Sequence, residues 1–389
     1  MKKSLLVAAI SSAFALSAHA QSSVTLYGVI DAGLVYSNNQ GGHSDYQESS
    51  AATENTVYGL KGTEDLGNGL HAIFKLENGF NLNNGTLYNP NDAFGEQAYV
   101  GLQSDSFGSV TFGRQFDSVN DYLGPLSSAG GTFGGSLSAH PFDNDNLAAD
   151  SMSISNAVKY TSNTYNGITF GGMYGFSNQA GGFADNRMYG LGTSYANGPV
   201  NLAVGYIELD NAGGGTLTGA SNPNGSIEAS DNSADFIAQR QRIWGAGGNY
   251  TFGAATVGVL WTHSQIDNMA SVYEGGLGNE PLNGGLRFDN YEVNAHYSIT
   301  PAVSIAGAYT FTNGAYGAGA NSASPKWNMV TLQTDYSLSK RTDVYLEGVY
   351  DNVHGAPQNS LLGEAMINTL SPSSTGTQVA VTVGLRTQF

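Results

Sequence analysis

Five aspartates lie in one polar segment, residues 116–154, that contains no lysine or arginine: Asp117, Asp121, Asp143, Asp145 and Asp150. Clustered carboxylates attract cations and could coordinate a hard metal ion such as calcium. The run that starts at Asp143 resembles the first half of a calcium-binding loop, but the full signature requires glycine at 148 and glutamate at 154, where the chain has Ala148 and Ile154. We therefore predict no cofactor and no metal site, with weakly bound calcium at the acidic loops as the alternative.

The chain lacks the residue patterns of common catalytic sites. It has no Gly-x-Ser-x-Gly elbow, no His-Glu-x-x-His pair and no phosphate-binding glycine-rich loop. Cysteine is absent, so no thiolate is available as a nucleophile or a zinc ligand. The histidines beyond residue 20 are scattered along the sequence: His43, His71, His140, His263, His296 and His354. The sequence therefore predicts that the protein is not an enzyme.

The start of the chain and its charge indicate an exported, acidic protein. Lys2 and Lys3 precede an apolar run and a small-x-small cleavage site, which predicts a cleaved signal peptide over residues 1–20 and a mature chain over 21–389. The formal net charge of −17 argues against nucleic acid as a partner, because phosphate binding needs a basic surface.

The rest of the sequence alternates apolar with small or polar residues, which is the period of a β-strand. In the last strand, for example, Val379, Val381, Val383 and Leu385 alternate with small or polar residues, and the chain ends at an aromatic, Phe389. The pattern predicts sixteen strands, near residues 22–37, 56–66, 69–82, 94–104, 109–115, 155–165, 168–177, 187–197, 200–210, 240–252, 254–266, 288–299, 302–313, 326–338, 343–353 and 376–389.

Short turns and long polar loops connect these strands in strict alternation. One rim of short turns and one of long loops is the layout of an outer-membrane barrel, whose apolar side chains face lipid. The fold class we predict is all-β, a transmembrane antiparallel up-and-down β-barrel of sixteen strands. A secreted β-sandwich or lectin-like barrel is the alternative, and it would bury the apolar face instead.

Five short motifs, each at a strand position, resemble the trimeric general porins of Gram-negative outer membranes, beta-proteobacterial branch. The motifs are Val24-Thr25-Leu26-Tyr27-Gly28, Gly59-Leu60-Lys61-Gly62-Thr63-Glu64-Asp65-Leu66-Gly67, Ala98-Tyr99-Val100-Gly101-Leu102, Phe112-Gly113-Arg114-Gln115 and Asn156-Ala157-Val158-Lys159-Tyr160. The resemblance implies a homotrimer in the outer membrane that passes small hydrophilic solutes by passive diffusion. It also implies that the third long loop, 116–154, folds into the lumen, and that Phe389 ends the strand read by the outer-membrane assembly machinery.

Charged residues near this loop are candidates for the pore constriction. Strand alternation turns Lys61, Lys75 and Lys159 toward the lumen, and Arg114 lies where its strand meets the loop. The five loop aspartates and Glu96 would form the acidic side. Opposite charges across a narrow lumen would create a transverse field.

Three positions depart from the family pattern, which commonly places arginine where this chain has Val57, Glu96 and Ser153. We therefore expect weak cation preference or low selectivity. The alternatives are a porin selective for a sugar or organic acid, which would use Tyr122, Phe133 and Phe142 of the third loop, and a barrel adhesin that uses long loops such as 211–239.

Overall fold

β-strands dominate the computed structural model, which describes residues 23–89, 92–131, 133–148, 152–211, 225–227, 236–274, 278–357 and 360–389. The predicted signal peptide lies outside the described residues. The strands are β1 (Ser23–Gln40), β2 (His43–Ser50), β3 (Val57–Gly67), β4 (Leu70–Gly79), β5 (Gln97–Ser104), β6 (Gly108–Phe116), β7 (Ser153–Thr161), β8 (Ile168–Gly175), β9 (Asp185–Asn197), β10 (Val200–Asn211), β11 (Phe236–Phe252), β12 (Ala255–Glu274), β13 (Gly278–Ser298), β14 (Val303–Ala318), β15 (Asn321–Ala323), β16 (Lys326–Ser337), β17 (Thr342–His354) and β18 (Thr377–Gln388).

These segments form one closed antiparallel sheet with sixteen positions around the barrel. β2 and β3 share one position because both pair with β1, and β15 and β16 share another because both pair with β14. The first and last strands close the sheet, from Val29 opposite Gln388 to Ser37 opposite Ala380. The predicted sixteen-stranded barrel is therefore confirmed.

Apolar side chains on the strands face away from the lumen. Leu34, Leu202 and Leu332 expose 65%, 50% and 64% of their surface, whereas their neighbours Val35 and Ala203 are buried. A water-soluble fold would bury such residues, but a lipid-facing barrel exposes them. The predicted alternation of faces is present around the barrel.

The strands extend further beyond the lipid-facing band than predicted. β2 lies in a segment predicted as a loop, and β12 and β13 continue to Glu274 and Gly278 through most of the predicted loop 267–287. Above the lipid-facing band the outward face also carries polar residues, such as Gln265 and Asp267 on β12. The apolar alternation therefore disappears there although the backbone ladder continues.

The described residues of the third loop between β6 and β7, 117–131, 133–148 and 152, lie inside the barrel. The loop contains helix α1 (Ser118–Leu123) and 3-10 turns at Gly124–Leu126, Gly135–Ser138 and Pro141–Asp143. Val119 and Leu123 of α1 pack against the inner faces of β9, β10 and β11 in a buried apolar cluster. Among the described residues, no helix is both long and apolar enough to cross a membrane.

Candidate pore constriction

An opening of about 380 Å³ separates the third loop from the barrel wall at β3, β4 and β5. From here on, "the opening" means this space and its lining. The loop contributes Asn120, Asp121, Gly124, Pro125, Gly130, Leu147 and Ala148 to the lining. The wall and its adjoining segments contribute Glu54, Asn55, Val57, Lys75, Glu77, Glu96 and Phe116.

The wall side of the opening carries an ion pair on β4 that has further partners on other strands. Lys75 Nζ lies 3.1 Å from Glu77 Oε2, and the other oxygen of Glu77 accepts a hydrogen bond from Gln97 Nε2 at 3.0 Å. The Tyr27 hydroxyl donates to Glu77 at 2.7 Å. The ring of Tyr27 lies 5.1 Å from Lys61 Nζ and 5.6 Å from Lys75 Nζ. Lys61 and Lys75 therefore face the lumen together.

The loop side of the opening carries one ion pair with β7. The Lys159 ammonium contacts the Asp121 carboxylate and donates a hydrogen bond to the Phe116 carbonyl at 2.8 Å. The structure thus brings the loop aspartate and the wall lysine together at the base of the third loop, and each offsets the charge of the other.

Three other predicted loop aspartates are buried and do not line the opening. Asp117 caps α1 by accepting from the backbone amides of Val119 at 2.5 Å and Asn120 at 3.0 Å. Asp143 accepts from two amides of the loop, and Asp145 contacts His140. Their assignment to the pore surface is wrong, because the loop folds on itself: Asp117 and Asp143 satisfy its backbone amides, and Asp145 contacts the buried side chain of His140. Asp150 lies outside the described residues.

A buried histidine joins the third loop to β13. His140 Nδ1 lies 2.6 Å from Asp145 Oδ2, and His140 Nε2 lies 3.1 Å from Glu292 Oε2. Burial alone would lower the pKa of His140, but Asp145 and Glu292 outweigh it and raise the pKa to about 10. Glu292 also accepts from the Ser128 amide at 2.8 Å. The imidazolium therefore links a loop carboxylate to a wall carboxylate.

Further contacts hold the tip of the third loop and the segment between β2 and β3. Gly134 N donates to Gln333 Oε1 at 2.5 Å. Asp31 accepts from Thr53 N at 2.8 Å and Glu54 N at 2.7 Å, which fixes residues 51–56 inside the barrel. Arg386 pairs with Glu54 at 3.2 Å.

Sequence reasoning missed Glu54, His140 and Glu292. Glu292 had one available signal, since strand alternation turns it inward beside the outward-facing Tyr291 and Val293. Its partner His140 is 152 positions earlier, in a loop without periodicity. A single amino-acid sequence contains no pattern that would predict such a pair.

Arg114, Glu96, Ser153 and Val57 lie close together at the base of the third loop, but only Glu96 and Val57 line the opening. Arg114 is buried, and its guanidinium donates to the Gly95 carbonyl at 2.6 Å and to the Ser155 hydroxyl at 2.9 Å. Its assignment to the exposed pore wall is therefore wrong. The Ser153 hydroxyl donates to the Glu96 carbonyl at 2.7 Å.

The aromatic residues of the third loop pack against the wall. Phe142 lies about 6 Å from the rings of Phe236, Phe288 and Trp327, and Phe133 stacks near His296. Neither ring lines the opening. Metal ligands do not converge either: no group of three or more histidine, aspartate or glutamate side chains suited to a metal occurs in the described part of the chain.

Comparison with known proteins gives consistent matches across the chain. Residues 5–356 match the Gram-negative porin family. An outer membrane porin protein of Bordetella pertussis is 32% identical over 389 residues, which cover 90% of this chain and 94% of the relative. The structure titled an anion-selective porin from Comamonas acidovorans has a TM-score of 0.68 at 22% identity and covers 95% of this chain and 100% of its own. OmpT of Vibrio cholerae in its trimer form has a TM-score of 0.64 at 16% identity, with 95% and 99% covered.

Proposed function

This chain belongs to the Gram-negative porin family, and we propose that it passes small hydrophilic solutes and ions by passive diffusion through the opening beside the third loop. It is an outer-membrane porin, as its relatives are, and it is not an enzyme. The observation that supports the route is the position of the opening between the loop and β3–β5. The opposite side of the loop packs against β9–β11.

We propose that the opening has weak cation preference or low selectivity. Among its described lining residues, one lysine, Lys75, lies with four carboxylates, Glu54, Glu77, Glu96 and Asp121. Lys159 and Arg386 offset Asp121 and Glu54 from outside the lining. The carboxylates of the lining therefore outnumber its lysine, and charges at a constriction set the sign of selectivity.

The positions of Val57 and Glu96 support this proposal. The Comamonas porin is titled anion-selective, whereas here two positions at which the family commonly places arginine hold valine and glutamate in the lining. The third such position, Ser153, donates a hydrogen bond to Glu96. An arginine at each of these three positions would reverse the sign of the local charge.

The test is the zero-current potential in a KCl gradient across a planar bilayer. We expect a weak cation preference in the native protein and a shift toward chloride in Glu96→Arg. Glu48→Arg is the matched control, because it makes the same charge change on the outward face of β2 and should leave the potential unaltered. Clear chloride preference of the native protein, or equal shifts in the two variants, would contradict the proposal.

We also propose that three copies assemble, as the trimer form of the Vibrio OmpT suggests. The same bilayer recordings test this, since a trimer closes in three equal current steps per inserted unit. Closure in a single step would argue for one pore per unit.

A further inference from the structure

A band of charged residues lies on the outer face of the barrel, on β9–β13. The lipid-facing positions of these strands include Leu191, Val204, Val259 and Val293. Residues an even number of positions, up to eight, further toward the long loops lie on the same face of each strand. They are Arg187, Glu208, Asp210, Arg240, Arg242, His263, Asp267, Arg287 and Asp289.

Four of the seven arginines in the sequence belong to this band: Arg187, Arg240, Arg242 and Arg287. We call these four the outer arginine patch. The chain is otherwise strongly acidic, with 31 acidic and 14 basic residues. The patch therefore places four of the 14 basic residues on a face that solutes in the lumen do not meet, beside four carboxylates of the same band.

Carboxylates hold the guanidinium groups of the patch in place. Asp267 Oδ2 accepts from Arg240 Nε at 3.0 Å and from a terminal nitrogen of Arg242 at 3.2 Å. Arg187 pairs with Asp210 at 3.0 Å, and its guanidinium carbon lies 5.2 Å from the centre of the Phe183 ring. Fixed guanidinium groups lose less conformational entropy when they bind an anion.

The two remaining carboxylates of the band have partners outside the patch. Glu208 accepts from the Tyr206 hydroxyl at 2.6 Å, and Asp289 lies 2.7 Å from His263 Nδ1. Glu208 and Asp289 are thus occupied by these partners, and the guanidinium groups of the patch keep N–H donors for a ligand.

Several donors of the outer arginine patch are available to a ligand. The Arg240 side chain is 43% exposed although it pairs with Asp267. The side chains of Arg187 and Arg242 are 23% and 28% exposed. Arg287 is exposed and forms no ion pair in the described ranges. Guanidinium groups present paired N–H donors that match phosphate oxygens.

Aromatic side chains next to the patch indicate its depth in the membrane. Tyr189, Tyr206, Trp244 and Tyr291 lie on the same outward face, one register step closer to the apolar residues. Aromatic girdles mark the level of the lipid headgroups, and long loops mark the extracellular side. The patch therefore lies at headgroup level in the outer leaflet.

We propose that the outer arginine patch binds the phosphate groups of lipid headgroups in the outer leaflet. The guanidinium groups contact phosphate, while the apolar residues below, such as Leu191 and Val204, contact the acyl chains. A lipid fits better than a soluble anion, because the charged band adjoins the lipid-facing surface.

The experiment compares two lipids on the refolded full barrel by native mass spectrometry: lipid A with both phosphates and the same lipid without them. Each interfacial arginine contributes about fivefold in affinity. We expect Arg287→Gln to weaken binding of the phosphorylated lipid about fivefold, and the triple variant Arg240→Gln/Arg242→Gln/Arg287→Gln roughly 100-fold. Lys340→Gln/Arg341→Gln, at a short turn on the opposite rim, should bind as the native protein does.

Channel conductance controls for folding, because the patch faces away from the lumen and the variants should conduct normally. Arg287→Gln removes no ion pair among the described residues, so its result does not depend on a structural defect. Unchanged binding in both variants would overturn the proposal, as would equal binding of the dephosphorylated lipid. Complete displacement of the lipid by inorganic phosphate would also overturn it, in favour of a free-anion site.

Discussion

At the residue scale, His140 is the charge on which the position of the third loop depends most. It is buried between Asp145 of the loop and Glu292 of β13. Two buried carboxylates without a cation would be strongly unfavourable, since removal of one member of a buried ion pair leaves an uncompensated charge. The imidazolium thus keeps the loop against β13 and the opening on the other side.

His140→Gln should lower the free energy of unfolding by about 3–5 kcal/mol near pH 7. The pKa of His140 in the folded protein, about 10, is above the ordinary value of 6.5. Its contribution is therefore fully present below about pH 6.5, declines as the pH rises, and is lost above about pH 10. Urea unfolding in detergent micelles, followed by tryptophan fluorescence near pH 7 and above pH 10, measures the free energy of unfolding of the two proteins.

The control for this prediction is His43→Gln, which changes an exposed histidine at the start of β2. It should match the native protein at every pH. A His140→Gln variant as stable as the native protein near pH 7, or a stability gap that persists unchanged above pH 10, would contradict the role of the imidazolium.

At the residue level, strand alternation gave a rule for side-chain orientation on the strands, and no such rule existed for the third loop. Alternation turned Lys61, Lys75 and Lys159 inward, and the structure places all three on the lumen side. In the third loop no periodicity relates position to exposure. The aspartates there were therefore all assigned to the pore surface, although Asp117 and Asp145 are fully buried.

At the element scale, β1 and β18 close the barrel through the last residue of the chain. Gly28 N donates to the Phe389 carbonyl at 3.1 Å, and Phe389 N donates to the Gly28 carbonyl at 3.0 Å. Glycine is required at position 28, because a Cβ there would lie 2.5 Å from the Phe389 ring and 2.6 Å from the Val57 carbonyl oxygen. The closing pair and the terminal aromatic form one unit.

We propose that Phe389 is also read by the outer-membrane assembly machinery. Phe389→Ala should lower the amount of folded barrel in the outer membrane several-fold and change the stability of the refolded protein by only about 1 kcal/mol. Phe252→Ala is the matched control, since both rings are about half exposed at the short-turn end of the barrel. Equal outer-membrane levels of the two variants, measured by fractionation, would contradict recognition of the terminus.

The extent of the strands could be predicted only where they face lipid. Within that band, side chains must alternate because one face meets lipid and the other meets the lumen. Beyond it, the outward face of β12 and β13 also carries polar residues, and Arg287 of the outer arginine patch lies there. The sequence pattern that defined sixteen strands therefore could not show how far two of them continue, nor that Arg287 would lie on the outer face of β13.

At the scale of the whole molecule, charge is divided between the lumen and the outer surface. The third loop fills the lumen beside β9–β11, which leaves the opening beside β3–β5 with an acidic excess. The positive charge of the outer arginine patch lies outside the barrel. Ion preference and lipid contact are thus set by different residues. Substitutions in the lining of the opening should leave lipid binding unchanged, and substitutions in the outer arginine patch should leave ion preference unchanged.

The central claim is that solutes pass between the third loop and β3–β5. The chain has no cysteine, so Pro125→Cys introduces a single thiol on the exposed loop side of the opening. Ser44→Cys, an exposed position on β2 away from the opening, is the control. Single-channel current recorded during addition of a bulky methanethiosulfonate reagent should fall stepwise in Pro125→Cys and stay constant in Ser44→Cys. An unchanged current in the modified Pro125→Cys protein would contradict the account.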